Sequence, residues 1–533
     1  MKNQLSMKNC SLLFLLSLLI LAACEPSSQE SEEPTKRPNI LFAIADDVSF
    51  PHMGAYGTSW VKTPNFDWVA ENGLLFQHAY TPNAKCSPSR AIILTGRNSW
   101  QLEEAANHVP YFPAKFKTFF EVLKEEGYFT GHVAKGYAPG KPGTIDGQPR
   151  ELVGPAYNSI KTTPPTTGIG RFDYADNFRD FLQKRDQEQP FCFWYGSFEP
   201  HRAYEYGTGS RLGGKSVQDL DSIFAFYPET DSVRNDILDY AYEIEYFDQH
   251  LGKMLQLLRE SGELANTLVI VTADNGMPFP RAKGQAYERS NHLPLAMMWG
   301  DNIIDPGRVI EDFISFADFA PTVLDIAGIE STAAGMQPFE GHSIVNIFHN
   351  TNATEKRPHM IIGKERHDIG RPDDGGYPVR GIVTKDYLYL MNFKPERWPG
   401  GNPETGYLNC DGSPTKSAIL HSKRYDGEAF YWDLSFGKRP AEELYHIATD
   451  KDCIKNLAGQ EDVLEIQAQL KEQLIAALKA QQDPRILGNG DIFDNYIYSD
   501  DRTRGFYDRY SKGEIPATTA GWVNPDDFEK VKD

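Results

Sequence analysis

Cysteine is scarce in this sequence, with six residues among 533. Chains that depend on disulfides are short and rich in cysteine, so this frequency excludes a disulfide-dependent scaffold. Cys410 and Cys453 are the only pair left for a disulfide in an oxidising compartment, with two free thiols as the alternative. The hydrophobic fraction of 40% is ordinary for a globular protein with a large core.

Positive charge is also scarce, because the sequence has 54 Lys and Arg but 74 Asp and Glu, which gives a net charge of −20 at pH 7. This balance argues against a nucleic-acid partner, which would require a basic surface. A small anionic ligand would therefore be held in a local basic pocket or by a metal ion.

Only the N-terminus carries the pattern of a targeting segment, with Lys2 and Lys8 before an uncharged run from Ser11 to Ala23. The run is too short to span a membrane and is typical of a secretory signal. Its end, LAAC, resembles a bacterial lipoprotein box, which implies that Cys24 is acylated and anchors the protein in the envelope of a Gram-negative bacterium. An ordinary cleaved signal is the alternative. Residues 25–34 contain Ser, Glu and Pro without apolar periodicity and predict a disordered tether.

Two apolar runs, 38–45 and 267–273, predict buried parallel strands of an α/β sheet. Ligands collect at the carboxyl ends of such strands, and each run is followed directly by polar residues. Adjacent carboxylates repel one another unless a cation is present, and an all-oxygen set favours Ca²⁺ or Mg²⁺ over zinc. Each pair alone is also compatible with a turn or a helix cap. The residues concerned are Asp46, Asp47, Asp274 and Asn275.

The segment 86–97 reads CSPSRAIILTGR. Proline and then an arginine in an apolar run that ends at Gly96 predict a loop leading into a helix, whose positive end favours an anion or an ionised nucleophile. A buried structural cysteine is the alternative for Cys86. The whole segment resembles the signature of the formylglycine-dependent sulfatases, which implies that a maturation enzyme oxidises Cys86 to formylglycine (3-oxoalanine).

The resemblance implies an alkaline-phosphatase-like α/β fold with a smaller C-terminal antiparallel subdomain. It also implies that Arg90 and the metal hold the formylglycine, while Lys135 and Lys283 neutralise the sulfate oxygens. Arg281 is an alternative to Lys283, because the spacing in this loop is loose. His201, after the predicted strand 191–198, corresponds to the acid that protonates the leaving group. The implied metal ligands are Asp46, Asp47, Cys86, Asp274 and Asn275.

One position departs from the family pattern. Tyr137 stands two residues after Lys135, where many sulfatases have a histidine that assists sulfate elimination. His132 lies three residues from Lys135 along a predicted strand and therefore points the opposite way. His108 is a candidate replacement, with a surface histidine as the alternative.

Three segments, 199–202, 274–280 and 377–380, resemble the heparan N-sulfatase branch of the family. Site loops change specificity on a common scaffold, so two substrates stay open: N-sulfated glucosamine and an O-sulfated algal glycan such as ulvan. The rival interpretations are a phosphatase or phosphodiesterase on the same scaffold and a catalytically impaired glycan-binding lipoprotein. The candidate substrate contacts are Arg202, Arg366, His367, Arg380 and His108, with a packing role as the alternative for Arg366, His367 and Arg380.

The predicted organisation follows from these segments. Helices are expected at 64–72, 118–126, 235–260 and 463–481, and antiparallel strands at 360–367 and 379–393. The expected divisions are a signal at 1–23, the acylated Cys24 with its tether at 24–36, a catalytic domain at 37–355, a C-terminal subdomain at 356–482 and a surface-wrapping tail at 483–533.

Overall fold

A computed structural model of the protein describes residues 36–352 and 357–530. The predicted signal segment and Cys24 lie outside these residues. None of the described helices has the length and apolarity of a membrane span. From Pro38 onwards the chain belongs to one compact unit.

Strands alternate with helices in the first part of the described chain, and helices predominate towards its end. The strands are β1 (Asn39–Ala45), β2 (Leu74–Tyr80), β3 (Phe129–Ala134), β4 (Thr144–Ile145), β5 (Gln148–Pro149), β6 (Phe191–Gly196), β7 (Thr267–Ala273), β8 (His292–Met298), β9 (Arg308–Ser315), β10 (Met360–Lys364), β11 (Val379–Val383), β12 (Tyr387–Asn392) and β13 (Glu442–His446). The α-helices are α1 (Pro64–Glu71), α2 (Cys86–Thr95), α3 (Phe119–Glu125), α4 (Tyr174–Lys184), α5 (Thr208–Arg211), α6 (Asp231–Glu260), α7 (Glu288–Asn291), α8 (Phe319–Ile326), α9 (Val345–His349), α10 (Pro414–His421), α11 (Phe430–Ser435), α12 (Leu464–Ala480), α13 (Ile492–Asn495) and α14 (Phe506–Ser511).

A mixed sheet with the strand order β3-β6-β1-β7-β8-β2-β9 forms the centre of the molecule. The strands β3, β6, β1 and β7 are parallel, and β8 runs antiparallel to β7 and β2. Every residue of β1 is buried, and its side chains alternate between two cores, with Leu41 in one and Phe42 in the other. The predicted large and mostly parallel α/β sheet is confirmed. Its four parallel strands place their carboxyl ends at one edge.

A separate antiparallel sheet has the order β10-β11-β12-β13. Helix α12 packs against it through Leu470, Leu474 and Leu478, which recur at the i, i+4 spacing of one helix face. The predicted C-terminal sheet and its covering helix are confirmed, and the run 379–393 divides into the adjacent strands β11 and β12.

The predicted disulfide between Cys410 and Cys453 is wrong, because both cysteines are free and buried. Cys410 packs in a core of the large sheet, whereas Cys453 packs with the residues of the small sheet. The two thiols therefore belong to different cores, which the spacing along the chain could not reveal.

Candidate active site

A cavity of about 920 Å³ opens beside the carboxyl ends of β1, β3 and β6. Residues from distant parts of the chain line it, including the predicted site residues Asp46, Cys86, His108, Lys135, His201 and Arg202. The parallel strand ends and the start of α2 therefore meet where the sequence predicts the chemistry.

Four acidic or sulfur ligands form a buried group at this edge, with ligand atoms within 4.8 Å of one another: Asp46, Asp47, Cys86 and Asp274. Asn275 completes the group, since its Nδ2 lies 3.6 Å from Cys86 Sγ. Asn275 Oδ1 is buried and has no hydrogen-bond donor among the described residues, so it is free to bind a cation. Three carboxylates and an amide oxygen suit a hard divalent ion such as Ca²⁺ or Mg²⁺.

Three cationic side chains lie against these carboxylates. Lys135 Nζ is 2.5 Å from Asp46 Oδ2, Arg90 Nε is 2.8 Å from Asp274 Oδ2, and Lys283 Nζ bonds both oxygens of Asp47. Burial opposes ionisation of Asp46, but Lys135, His201 and Arg90 hold the pKa of its carboxyl below the ordinary value. The centre therefore combines buried carboxylates for a metal with buried cations for an anionic substrate.

Cys86 is the first residue of α2, so the predicted loop ends at Lys85 and the helix begins at the cysteine itself. Pro88 is compatible with the first helical turn, and Gly96 ends the helix with φ at 67°. The Cys86 Sγ lies 3.5 Å from Asp46 Oδ1 and 3.8 Å from Lys283 Nζ. Burial raises the pKa of the thiol to about 12, so an unmodified Cys86 is protonated and a poor nucleophile at neutral pH.

Arg90 lies one turn into α2 and is fully buried. Its Nη1 donates to the carbonyls of Lys135 and Gly136 at 2.7 and 2.8 Å. The guanidinium therefore joins the nucleophile helix, the end of β3 and the carboxylate of Asp274 in one network, which fixes their relative positions.

His201 follows β6 and faces the cavity with about a third of its side chain exposed. Its Nδ1 is 2.7 Å from the Arg202 carbonyl oxygen, so Nδ1 carries the proton there. Its Nε2 lies 4.0 Å from Asp47 Oδ2. The ring is thus within reach of both the carboxylate group and a ligand in the cavity.

The positions of Arg281 and Lys283 decide which of the two is the second cation of the centre. Arg281 donates to the carbonyls of Leu434 and Cys453, whereas Lys283 lies against Asp47 and Cys86. Lys283 is therefore the second cation of the centre.

Other predicted contacts lie away from the cavity. Arg380 is fully buried between Asp483 and Glu365, and His367 is buried with its Nε2 2.9 Å from Asn83 Oδ1. Arg366 is also buried, with its guanidinium over the ring of Tyr498. None of the three residues lines the cavity, which favours the packing role that the sequence left open for Arg366, His367 and Arg380.

Arg202 does line the cavity, but its guanidinium is already engaged. It donates to both carboxylate oxygens of Asp236 at 2.7 and 2.8 Å and to the Pro278 carbonyl. Arg202 therefore holds the loop after β6 against helix α6 and shapes the cavity wall.

Tyr137 packs away from the cavity, edge to face against Phe112 with ring centroids 5.0 Å apart. Its hydroxyl is buried without a partner among the described residues, and burial raises its pKa above the ordinary value. Tyr137 is therefore no substitute for a basic histidine.

Several cavity residues were not predicted from the sequence. They are Lys85, Asp368 and Asp411, together with Tyr498, Asp500, Asp501, Arg502 and Trp522 from the tail. The predicted tail thus forms part of the cavity wall in addition to covering the surface. Lys85 and Asp368 adjoin residues that the sequence singles out, but the tail residues carry no local signal of a site.

Comparisons with known proteins agree with this fold. A family model described as Sulfatase matches residues 38–329, and one described as N-sulphoglucosamine sulphohydrolase, C-terminal, matches residues 282–395. The chain belongs to the sulfatase family. The human N-sulphoglucosamine sulphohydrolase is 28% identical over 88% of this chain and 93% of its own.

Two further relatives broaden the comparison. An ulvan-active sulfatase of Formosa agariphila is 25% identical over 93% of this chain and 85% of its own. A solved structure of a complex with the substrate D-glucosamine-2-N,6-O-disulfate has a TM-score of 0.60 and 20% identity, covering 84% of this chain and 99% of that one. The last of these shows the fold alone.

Proposed function

We propose that this protein hydrolyses sulfate groups from a sulfated glycan, using a formylglycine that a maturation enzyme makes from Cys86. The observation that carries the proposal is the convergence of four oxygen ligands and three buried cations around Cys86 in a sulfatase-family chain, in a group that reaches the cavity through Asp46, Cys86 and Lys135.

Asp46, Asp47, Asp274 and Asn275, with residue 86, would hold the divalent cation. When bound, the metal would polarise a sulfuryl oxygen, and the formylglycine would supply a hydroxyl nucleophile. The protein's own cations do the rest of the electrostatic work, since Lys135 and Lys283 lie beside residue 86 and would neutralise the sulfuryl oxygens as negative charge develops.

His201 would protonate the leaving oxygen or nitrogen of the sugar. Its Nδ1 is tied to a carbonyl and its ring faces the cavity, which orients Nε2 towards a bound ligand. A sugar alkoxide or amide ion is a poor leaving group, so a positioned acid is required for either linkage.

The glycan class is part of the proposal. Relatives named for N-sulfated glucosamine and for ulvan both align over most of the chain, which supports either an N-sulfated or an O-sulfated glycan. Action at chain ends is part of the proposal, supported by the tail residues 498–502 and Trp522 that form part of the cavity wall. We further propose that acylated Cys24 holds the enzyme at a bacterial membrane, where such polysaccharides are digested.

The test measures sulfate release by the full chain co-expressed with a formylglycine-generating enzyme. The substrate panels are N-sulfated glucosamine oligosaccharides and O-sulfated ulvan oligosaccharides. Cys86→Ala is the inactive variant. Cys192→Ala is the matched control, because Cys192 is buried in β6. We expect formylglycine by peptide mass at residue 86 and release that Cys86→Ala abolishes. Unmodified Cys86 from the native host, with binding but no release, would establish a glycan-binding protein instead.

A further inference from the structure

A second polar group lies beside Cys86, and the chemistry proposed above does not use it. Lys85 Nζ is 2.9 Å from Asp368 Oδ2, and His108 Nδ1 is 3.1 Å from Asp368 Oδ1. Lys85, His108 and Asp368 are all buried and line the same cavity as Cys86. We call these three residues the His108 group.

The protonation of this group follows from its contacts. Burial opposes ionisation of Asp368, but Lys85 and His108 hold the pKa of its carboxyl below the ordinary value. An ionised carboxylate only accepts hydrogen bonds, so Nδ1 of His108 is the donor. Burial lowers the pKa of His108 to about 4, which leaves the ring neutral at pH 7. The lone pair of the ring therefore lies on Nε2.

That nitrogen is a preorganised acceptor. His108 is 8% exposed, and its Nε2 is buried with no hydrogen-bond partner in the described part of the chain. A buried polar atom without a partner costs free energy, so a ligand that donates to it would recover that cost.

The chemistry of this acceptor selects the donor. Asp368 is the carboxylate bonded to His108, and Lys85 and Lys283 are the cations that act on it. A second sulfate or a carboxylate is ionised at neutral pH and has no proton to donate to Nε2. A neutral hydroxyl group has a proton and can form this hydrogen bond.

We propose that His108 is a hydroxyl-recognition residue, whose Nε2 accepts a hydrogen bond from a free hydroxyl of the sugar that carries the scissile sulfate. This inference rests on the proposed function and narrows its substrate class. The sulfate lies at Lys135 and Lys283, while the His108 group requires an unmodified hydroxyl on the same sugar. A sugar that is sulfated or deoxygenated at that hydroxyl is rejected.

The test is a double-mutant cycle of binding affinities, which combines His108→Ala with the loss of one sugar hydroxyl. It is measured in the Cys86→Ala protein, which lacks the nucleophile and therefore does not hydrolyse the ligand. The probes are D-glucosamine N-sulfate or L-rhamnose sulfate, whichever the panels above select, and the monodeoxy analogues of that sugar, with affinity measured by calorimetry. We expect one analogue to bind about tenfold more weakly, the loss typical of one uncharged hydrogen bond. His108→Ala should lose the same factor with the parent sugar and nothing further with that analogue. His421→Ala, on an exposed helix end, is the control and should bind as before.

Three outcomes would overturn the inference. If the affinity lost through His108→Ala adds to the affinity lost through each deoxy analogue, His108 contacts none of the hydroxyls tested. Unchanged affinity with a lower kcat in the matured His108→Ala enzyme would assign the ring to proton transfer. His108→Gln keeps an acceptor oxygen and should retain part of the discrimination if alanine is not tolerated. Absence of sulfate release from every panel would overturn the proposed function, whereas normal release and affinity in His108→Ala would overturn this inference alone.

Discussion

The two sides of the cavity are built in different ways. The chemical side (Asp46, Asp47, Cys86, Lys135, Asp274 and Lys283) consists of buried residues that follow parallel strands, begin a helix or lie in the loop after β7, and it reaches the cavity through Asp46, Cys86 and Lys135. The recognition side (His108, Asp368, Asp411, Tyr498 and Arg502) comes from loops and the tail.

The difference shows how a site divides its tasks. Strand ends of a fully buried sheet cannot shift without breaking the core, so the chemical side holds its geometry whatever the substrate. Loops can change without that cost, so the recognition side is where related chains can diverge. Mutations on the chemical side should therefore affect every substrate, and those on the recognition side only some.

Metal removal should produce the largest effect, because it removes the centre of the chemical side. We expect chelation, or Asp46→Asn, to lower sulfate release by about 10³-fold on every substrate, since a metal supplies several kcal/mol of charge stabilisation. Metal content by mass spectrometry and kcat/KM are the measurements. Asp501→Asn, an exposed carboxylate of the cavity rim, is the control and should retain the metal. Full activity in metal-free protein would contradict the ligand assignment.

Arg380→Ala tests whether Arg380, which the sequence predicts as a substrate contact, acts at the cavity or only stabilises the fold. It should lower the free energy of unfolding by about 3–5 kcal/mol, because Asp483 is left buried without its partner. Urea unfolding measures this loss of stability. We expect kcat/KM of the folded fraction to be unchanged. Lys471→Ala, which breaks the partly exposed pair with Glu442, should cost below about 1 kcal/mol. Normal stability with weakened substrate binding would restore Arg380 as a contact.

His201→Ala distinguishes acid catalysis from general damage to the chemical side. Release from a sugar sulfate should fall by about 10²-fold, because the leaving oxygen then departs without a proton. Release from 4-nitrophenyl sulfate should fall far less, since its leaving group needs no proton. The ratio of the two kcat/KM losses is the measurement, and equal losses would exclude the acid role. His421→Ala should change neither rate.

Arg502→Ala tests the recognition side at its rim and should have the smallest effect. Arg502 is exposed at the cavity mouth, so its charge would attract an anionic neighbouring sugar only weakly. We expect KM for anionic oligosaccharides to rise by about threefold at low salt and the difference to vanish at high salt. Lys512→Ala, an exposed cation outside the cavity lining, is the control. An effect on kcat that salt does not change would show that Arg502 contacts the reacting sugar.

Local sequence patterns were sufficient to predict much of the chemical side. The runs 38–45 and 267–273 predicted β1 and β7, and the polar residues after them do meet at one edge. Parallel strands bring their carboxyl ends together whatever lies between them in the chain, so a residue directly after such a strand is positioned by the strand itself. The helix that begins at Cys86 is set in the same way, by proline near its start and glycine at its end.

Tertiary structure alone decided the rest. Nothing near His108 in the chain indicates that Asp368 will bind its Nδ1, and nothing in the spacing of Cys410 and Cys453 indicates that they enter different cores. The tail joins the cavity through loops whose direction depends on packing in a small core, where Tyr498, Phe506 and Ala520 meet Val109, Ile369 and Leu408. Pairings across hundreds of residues are fixed by which buried surfaces fit one another, and that fit is a property of the folded chain, which no local pattern encodes.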